Sequence, residues 1–364
     1  MKGKFSMHFP YTAQYTYLNT PAYGLLSEEL MEWRQEHDLD HLIGGSRFKE
    51  RSLAGLDQVR STVAAYCAVD ADKVYLVPNF SFGWKVLCGG LDKKTSFLLL
   101  DGDYPSLNWP VITGGFSSVR KVAASPEMEG AILKAFETAV PDVFAFSMVQ
   151  YLNGLQLAGD FIKELKGMYP DTLFVADGTQ YLGTGVFDFD DSGIDILGAS
   201  GYKWLLAGTG NGFFLVRSGV DERFYAHTLP FEPQTEPFLR DNDHLQNHVE
   251  PGHLDSLSMG SLKRAIELLQ ETGVQEIASE LKILRSYAGE QLTSHGFLDP
   301  RIMERKEHAP FFALEVNEKQ QSALESREVI FAVRGGKMRV GFHFYNKKEE
   351  VDRLLNILKK SSGN

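Results

Sequence analysis

The segment from Phe174 to Val216 reads FVADGTQYLGTGVFDFDDSGIDILGASGYKWLLAGTGNGFFLV, and it holds one acid and one amine placed to do chemistry. Asp177 closes an apolar run of strand type. In an open parallel sheet the carboxyl ends of strands border the ligand crevice, so a carboxylate there meets a bound molecule rather than bulk water. Lys203 follows Gly198, Ser200 and Gly201 and precedes Trp204, Leu205 and Leu206, so its amine lies beside apolar side chains that would depress its proton affinity. A partly neutral lysine can form a Schiff base, and a strand-end carboxylate can keep a heterocyclic nitrogen protonated so that the ring withdraws electrons. Together they describe pyridoxal 5'-phosphate chemistry. Taken singly, each has a plainer reading: a strand-end aspartate caps the next helix, and a lysine beside glycines decorates a turn.

At this point the sequence resembles the class V aminotransferases, the fold-type I pyridoxal phosphate group that includes cysteine desulfurases, kynureninase and isopenicillin N epimerase. Asp177, Gly178, Thr179 and Gln180 match that family's Asp-Gly-x-Gln strand end, and Ser200, Gly201, Tyr202 and Lys203 match its Ser-Gly-(His or Tyr)-Lys. The resemblance implies that Lys203 carries the cofactor covalently and that Asp177 pairs with the pyridine nitrogen. It further implies that Gln180 hydrogen-bonds the ring oxygen and that Ser200 and Tyr202 reach the phosphate.

Other stretches extend the likeness from YLNTPAYG to the final helix. VPNFSFGWKVL is similar to the family's Gly-Thr-Thr-Glu-Ala-Ile-Asn turn, with Asn79 and Phe80 where Gly and Thr are usual. It would place Ser81 and the amide of Phe80 at a helix start, where N–H donors and a positive dipole suit a dianion; a simple N-cap role for Ser81 is also compatible. DGDYPSLNWP resembles the stretch whose aromatic or histidine stacks on the cofactor ring, a role that falls to Tyr104 with Trp109 as a second candidate. In VQYLNG, Tyr151 stands where the family usually has asparagine and Asn153 lies two residues on. VRGGKMRVGFHFYNKKEEVDRLL is similar to the family's Arg-x-Ser-x-x-x-Tyr-Asn motif, which implies Arg339 as the two-pronged clamp for a substrate α-carboxylate. VEPGHLD departs from the family's Glu-x-Gly-Thr, the contribution to the neighbouring subunit's phosphate site, and puts His253 in the threonine's place. An imidazole can still donate to phosphate.

The elements needed to hold these residues are visible as short apolar runs alternating with helical stretches, the signature of a parallel sheet with crossover helices. Strands are expected at Val74 to Val77, Phe97 to Asp101, Val143 to Met148, Leu173 to Ala176, Ile194 to Leu197 and Phe213 to Val216. Helices are expected at Arg47 to Ala65, Ser81 to Cys88, Glu127 to Ala139 and Gly159 to Met168. Pro230, Pro233, Pro237 and Pro251 punctuate a long connection, after which Leu257 to Leu269 and Val274 to Leu292 read as helices separated by Gly273. Strands at Phe311 to Val316, Val329 to Val333 and Met338 to Phe342 then precede an amphipathic helix from Lys348 to Leu358.

The expected fold class is α/β: a fold-type I transferase whose large domain has a mainly parallel sheet between helices, plus a smaller α+β carboxyl-terminal domain. The large, cofactor-binding domain is placed at 21–235, and the small domain at 1–20 and 236–364, including the amino-terminal segment and the interdomain connection.

With 364 residues, 43% hydrophobic, the chain can bury a sizeable core. Thirty-seven basic against 48 acidic residues give a net charge of −11 and no basic cluster, which argues against nucleic-acid binding. No apolar run is long enough to span a bilayer, and Lys2, Lys4 and Ser6 open no signal-peptide pattern, so neither membrane insertion nor export is expected. Two cysteines, Cys67 and Cys88, make no bridge framework and suit a reducing cytoplasm. His244, His248 and His253 are spaced like metal ligands, but Leu245 stands where a zinc peptidase needs glutamate, so no metal is expected. GTGNG at 208–212 lacks the GxGxxG spacing of a nucleotide loop and reads as a turn entering a strand.

No cysteine stands in the stretch from Arg334 to Met338, where a desulfurase would carry its acceptor thiol, so sulfur transfer is disfavoured. The expected activity is a pyridoxal phosphate-dependent, aminotransferase-like reaction at the α-carbon of a small amino acid. Alternatives are epimerisation, β-elimination or cysteine desulfurase-like chemistry on the same fold, and a degenerate cofactor-binding protein. The resemblance also implies a homodimer with active sites at the subunit interface.

Overall fold

Seven strands between Val74 and Val216 make one sheet: β2 (Val74–Val77), β3 (Ser96–Asp101), β4 (Ser118–Ala123), β5 (Val143–Ser147), β6 (Leu173–Asp177), β7 (Ile196–Ser200) and β8 (Gly212–Val216). Their spatial order is β2-β8-β7-β6-β5-β3-β4, and only β8 runs against the others. The computed structural model describes residues 8–232, 235–236, 239 and 242–361. Pro233 and Pro237 of the proline-rich connection, and Lys2, Lys4 and Ser6, lie outside the described residues.

The period of two along these strands divides the core. Leu98, Leu100, Phe144, Phe146, Phe174 and Leu197 point to one face, and Phe97, Leu99, Val143, Val175, Ile196 and Phe214 to the other, each set fully buried. Helices α1 (Glu28–Gly44), α2 (Ser46–Cys67), α3 (Phe80–Gly90), α4 (Pro105–Ile112), α5 (Met128–Thr138), α6 (Gly159–Met168), α7 (His244–Val249) and α8 (Ser256–Thr272) follow in chain order. Buried residues of α2, α5, α6 and α8 join the first face, and those of α3, α4 and α7 the second. Crossover helices on both faces are what make near-continuous apolar strands stable.

A second assembly contains α9 (Val274–Ser294), α10 (Pro300–Glu304), α11 (Glu318–Glu325) and α12 (Lys348–Ser361) with the antiparallel sheet β11-β12-β9, where β9 is Phe311–Leu314, β11 Ala332–Arg334 and β12 Lys337–Gly341. Leu284, Phe312, Met338, Val340, Leu354 and Leu358 form its core. The single strand expected over Val329 to Val333 is instead two: β10 (Val329–Ile330) pairs in parallel with β1 (Thr16–Tyr17), and β11 turns to meet β12.

Among the elements beyond the expected set are β4 and α1. β4 is an edge strand with Arg120 and Lys121 on it, paired to β3 alone, so it lacks the apolar run of a covered strand and its charges guard the open edge. In α1 only Leu30 is buried, which leaves little helical periodicity; its start is marked by Ser27, whose side chain accepts the Leu30 N–H at 3.1 Å.

Candidate active site

Parallel strands deliver their carboxyl ends to one edge. β5 and β6 are in register with Ser147 opposite Asp177, and β6 and β7 with Asp177 opposite Gly198, so Asp177 and Ser200 end side by side. β2 reaches the same edge and passes into α3, while β8 starts there after a turn in which Gly208 and Gly210 take positive φ of 71° and 89°. The result is a cavity of about 320 Å³. Its wall includes Phe80, Ser81, Tyr104, Asp177, Gln180, Ser200, Tyr202 and Lys203, so eight of the residues picked from sequence meet in one place.

Asp177 and Lys203 are both buried. Oδ1 of Asp177 accepts the Thr179 N–H at 2.8 Å, and Oγ1 of Thr179 accepts the Ser200 N–H at 3.1 Å, tying the two strand ends together. Burial pushes the Asp177 carboxyl up to about 6, against the pull of the Thr179 N–H and hydroxyl and of Lys203, with Asp103 adding to the rise. Burial draws the Lys203 amine down to about 8; Asp177 opposes this, and Arg339 and Arg334 reinforce it. An amine titrating there is about a tenth neutral at pH 7. Nζ of Lys203 stands 5.3 Å from the Tyr104 ring centre and 5.5 Å from that of Tyr202.

The lysine turn is braced on two sides. The Gly24 N–H donates to the Tyr202 carbonyl at 2.8 Å, and a Cβ at Gly24 would come within 2.0 Å of the Lys203 carbonyl oxygen, so only glycine fits that crossing. Nε2 of His343 donates to the Trp204 carbonyl at 3.0 Å while Nδ1 accepts the Phe344 N–H at 2.8 Å, a neutral tautomer consistent with burial drawing His343 down to about 4.

Gln180 has its amide orientation set by its partners. The Trp204 indole can only donate, and it does so to Oε1 at 2.7 Å; the Pro21 carbonyl can only accept, and it takes Nε2–H at 2.9 Å. One Nε2–H is left over. At the opposite end, Asn79 caps α3 by accepting the Phe82 N–H at 2.9 Å, so the plain N-cap role falls to Asn79 and not to Ser81. The Phe80 N–H is taken by Oγ of Ser200 at 2.9 Å, and the Phe80 ring stacks on Phe214 inside the core. Because Ser200 accepts from Phe80, its own O–H is available to the cavity.

Of the other sequence candidates, only Tyr151 reaches this ring of residues. Trp109 is 66% exposed and does not line the cavity. Tyr151 does line it, edge-on to Tyr104 at 5.1 Å, whereas Asn153 turns its Oδ1 back to the Leu155 N–H at 3.1 Å. Arg339 is buried on β12 just behind Tyr151: Nη1 donates to the Tyr151 carbonyl at 2.5 Å, Nε has no partner among the described residues, and burial together with Arg334 draws the guanidinium down to about 10. It does not line the cavity in this conformation. His253 is exposed and likewise absent from the wall.

Among the described residues no cluster of three or more potential metal ligands occurs. His244 meets the Phe224 carbonyl at 3.0 Å, and His248 stacks on Tyr225 at 3.7 Å. Cys67 and Cys88 are buried away from the cavity, and burial pushes both thiols well up. No described helix is long and apolar enough to cross a membrane.

Sequence reasoning passed over five contributors. Thr209 and Gly210 of the GTGNG turn line the cavity, as do Ser147 and Thr179. Asp103, directly before Tyr104, is buried beneath the site. The signal for Asp103 was its place in DGDYP; the others show no pattern that separates them from ordinary turn and strand residues.

This donor set fits pyridoxal phosphate. A buried carboxylate and a partly neutral lysine share the cavity, Gln180 offers a spare N–H, Tyr104 offers a flat face, and hydroxyls of Ser81 and Ser200 gather at a helix start, where a phosphate is favoured. Comparison with known proteins agrees. The chain is 24% identical to an uncharacterized aminotransferase, YcbU, of Bacillus subtilis, over 96% of this chain and 95% of that protein. Its fold superposes on apo cysteine desulfurase from Thermococcus onnurineus (TM-score 0.83, 16% identity, 97% and 96% of the two chains) and on the Escherichia coli cysteine desulfurase CsdA (0.81, 16%, 99% and 98%). It also matches a C-DES mutant with glycine covalently linked to its pyridoxal phosphate cofactor (0.84, 15%, 96% and 98%). Residues 139–354 match the aminotransferase class-V family, and with more than half its length so matched the chain belongs to that family of pyridoxal phosphate-dependent enzymes.

Proposed function

We propose that this enzyme acts at the α-carbon of a small amino acid in an aminotransferase-like reaction, with Lys203 as the attachment point and base. The observation that carries this reading is the pair of buried, oppositely shifted groups, Lys203 and Asp177, facing one cavity of about 320 Å³. When bound, pyridoxal phosphate supplies an aldehyde for amines and a ring that accepts electrons from the α-carbon.

The chain's own residues do the rest. Asp177 holds a proton at the ring nitrogen, and the desolvation that raises its proton affinity strengthens that bond. The spare N–H of Gln180 orients the ring oxygen, and Tyr104 covers one face of the ring. Ser81, Ser200 and Tyr202 hold the phosphate with the amide dipoles of α3. Lys203 Nζ, with its depressed affinity, takes the α-proton and returns it. Arg339 exchanges the Tyr151 carbonyl for the substrate carboxylate, a bidentate match to its fork.

Epimerisation and β-elimination remain the alternative outcomes on the same groups. Desulfurase-like sulfur transfer is the weakest of them, since neither cysteine lines the cavity. A homodimer, with His253 of each copy donating to the other's phosphate, belongs to the same proposal; light scattering and a His253→Ala comparison of cofactor affinity test it. The function is tested by saturating the protein with pyridoxal phosphate and screening amino acids for keto acid, racemised substrate and sulfide. Keto acid supports the reading, and racemised substrate or sulfide alone replaces it with the corresponding alternative.

A further inference from the structure

Asp103 is 4% exposed and has no lysine or arginine bridged to it among the described residues. Its Oδ1 accepts the Tyr104 N–H at 2.7 Å and its Oδ2 the Ser147 N–H at 2.8 Å, with the side chains of Ser147 and Gln150 also facing it. Ser147 is the register partner of Asp177 on the neighbouring strand. One carboxylate thus bridges the turn that carries the ring-facing tyrosine to the strand beside the acid at the far end of the cavity. A helix cap or a surface ion pair would explain neither its depth nor its span from the start of α4 to the end of β5, and a buried carboxylate without a cation is costly even where N–H donors meet it.

We propose that Asp103 is a positioning residue with two effects: it clasps Tyr104 against the cofactor plane, and it sets a second negative charge behind Asp177 that helps hold a proton on a bound pyridine ring. The inference rests on the pyridoxal phosphate reading of the cavity. Burial raises the Asp103 carboxyl, its N–H bonds oppose that rise, and its charge in turn raises Asp177 and Tyr151. The other titratable and charged groups around the pair are Lys203 after β7, Tyr202 beside it, Tyr104 after β3, Arg339 on β12 and Arg334 on β11.

The test uses the cofactor-saturated enzyme and two variants. Asp103→Asn keeps the shape but removes the charge and sets an amide against two N–H donors; Asp103→Glu keeps the charge but lengthens the clasp. Visible circular dichroism reads ring orientation, and the pH midpoint of the visible absorbance reads the local charge. Asp103→Asn is expected to weaken the dichroism and lower the midpoint by about one pH unit. Asp103→Glu is expected to weaken the dichroism while restoring the midpoint toward wild type. A merely structural residue would alter thermal melting without separating these two readouts. Wild-type spectra in Asp103→Asn, or equal midpoint shifts in both variants, would overturn the proposal. If Asp103→Asn does not fold, Asp103→Glu decides alone: a shifted midpoint or unaltered dichroism overturns it. Wild-type protein that stays colourless with pyridoxal phosphate would instead strike the cofactor reading itself.

Discussion

The Trp204 indole donates to Oε1 of Gln180 at 2.7 Å, one residue beyond Lys203 and three beyond Asp177 in the chain. This bond joins the lysine turn to the acid turn across the bottom of the site and fixes which end of the Gln180 amide faces the cavity. Trp204→Phe keeps a ring for packing against Phe311 but removes the donor that Oε1 of the buried Gln180 accepts from. The expected loss is about 1–3 kcal/mol of stability, measured by urea unfolding, with weaker cofactor binding because the amide is free to turn over.

Asp177 gives a stability profile with a definite sign. Its folded pKa of about 6 lies above the ordinary value of 3.8, so the folded state binds this proton more tightly than the unfolded state. The contribution favours folding below the ordinary value and is lost as pH rises through about 6. In cofactor-free protein, Asp177→Asn should therefore unfold at higher urea than wild type at pH 7.5, by about 1–3 kcal/mol, and the gap should close as pH falls through 6 toward 4. Denaturant curves across this window measure it.

Arg339 is buried with one nitrogen on the Tyr151 carbonyl and Nε unpartnered among the described residues. Arg339→Lys keeps the charge but loses the planar fork. The expected result is a tenfold or greater weakening of amino-acid binding, worth about 1.4 kcal/mol or more, with cofactor affinity little altered. Spectral titration of the bound cofactor with amino acid distinguishes the two.

Gly24→Ala sets a methyl group against the Lys203 carbonyl, where a Cβ has 2.0 Å. The amino-terminal crossing must shift, at a cost of about 1–3 kcal/mol, and the displaced lysine turn should also slow cofactor attachment. Thermal melting and the rate of colour development check the two consequences.

The fully covered strands were legible because burial on both faces writes an unbroken apolar run, as in Val143 to Ser147 and Leu173 to Asp177. β4 was not, since an edge strand carrying Arg120 and Lys121 reads like a loop, and neither was α1, whose single buried residue is Leu30. At the site, Asp177, Gln180, Ser200 and Lys203 sit in compact motifs and were readable. Asp103 depends on the β3-β5-β6 register, and the retracted pose of Arg339 on a bond to Tyr151, so both appear only when the strands are assembled.

The most direct test is borohydride reduction of cofactor-saturated protein followed by peptide mass mapping. A pyridoxyl adduct confined to the peptide holding Lys203, and absent from Lys203→Ala, is the expected result. An adduct spread over surface lysines, or retained in Lys203→Ala, would contradict the assignment of this cavity.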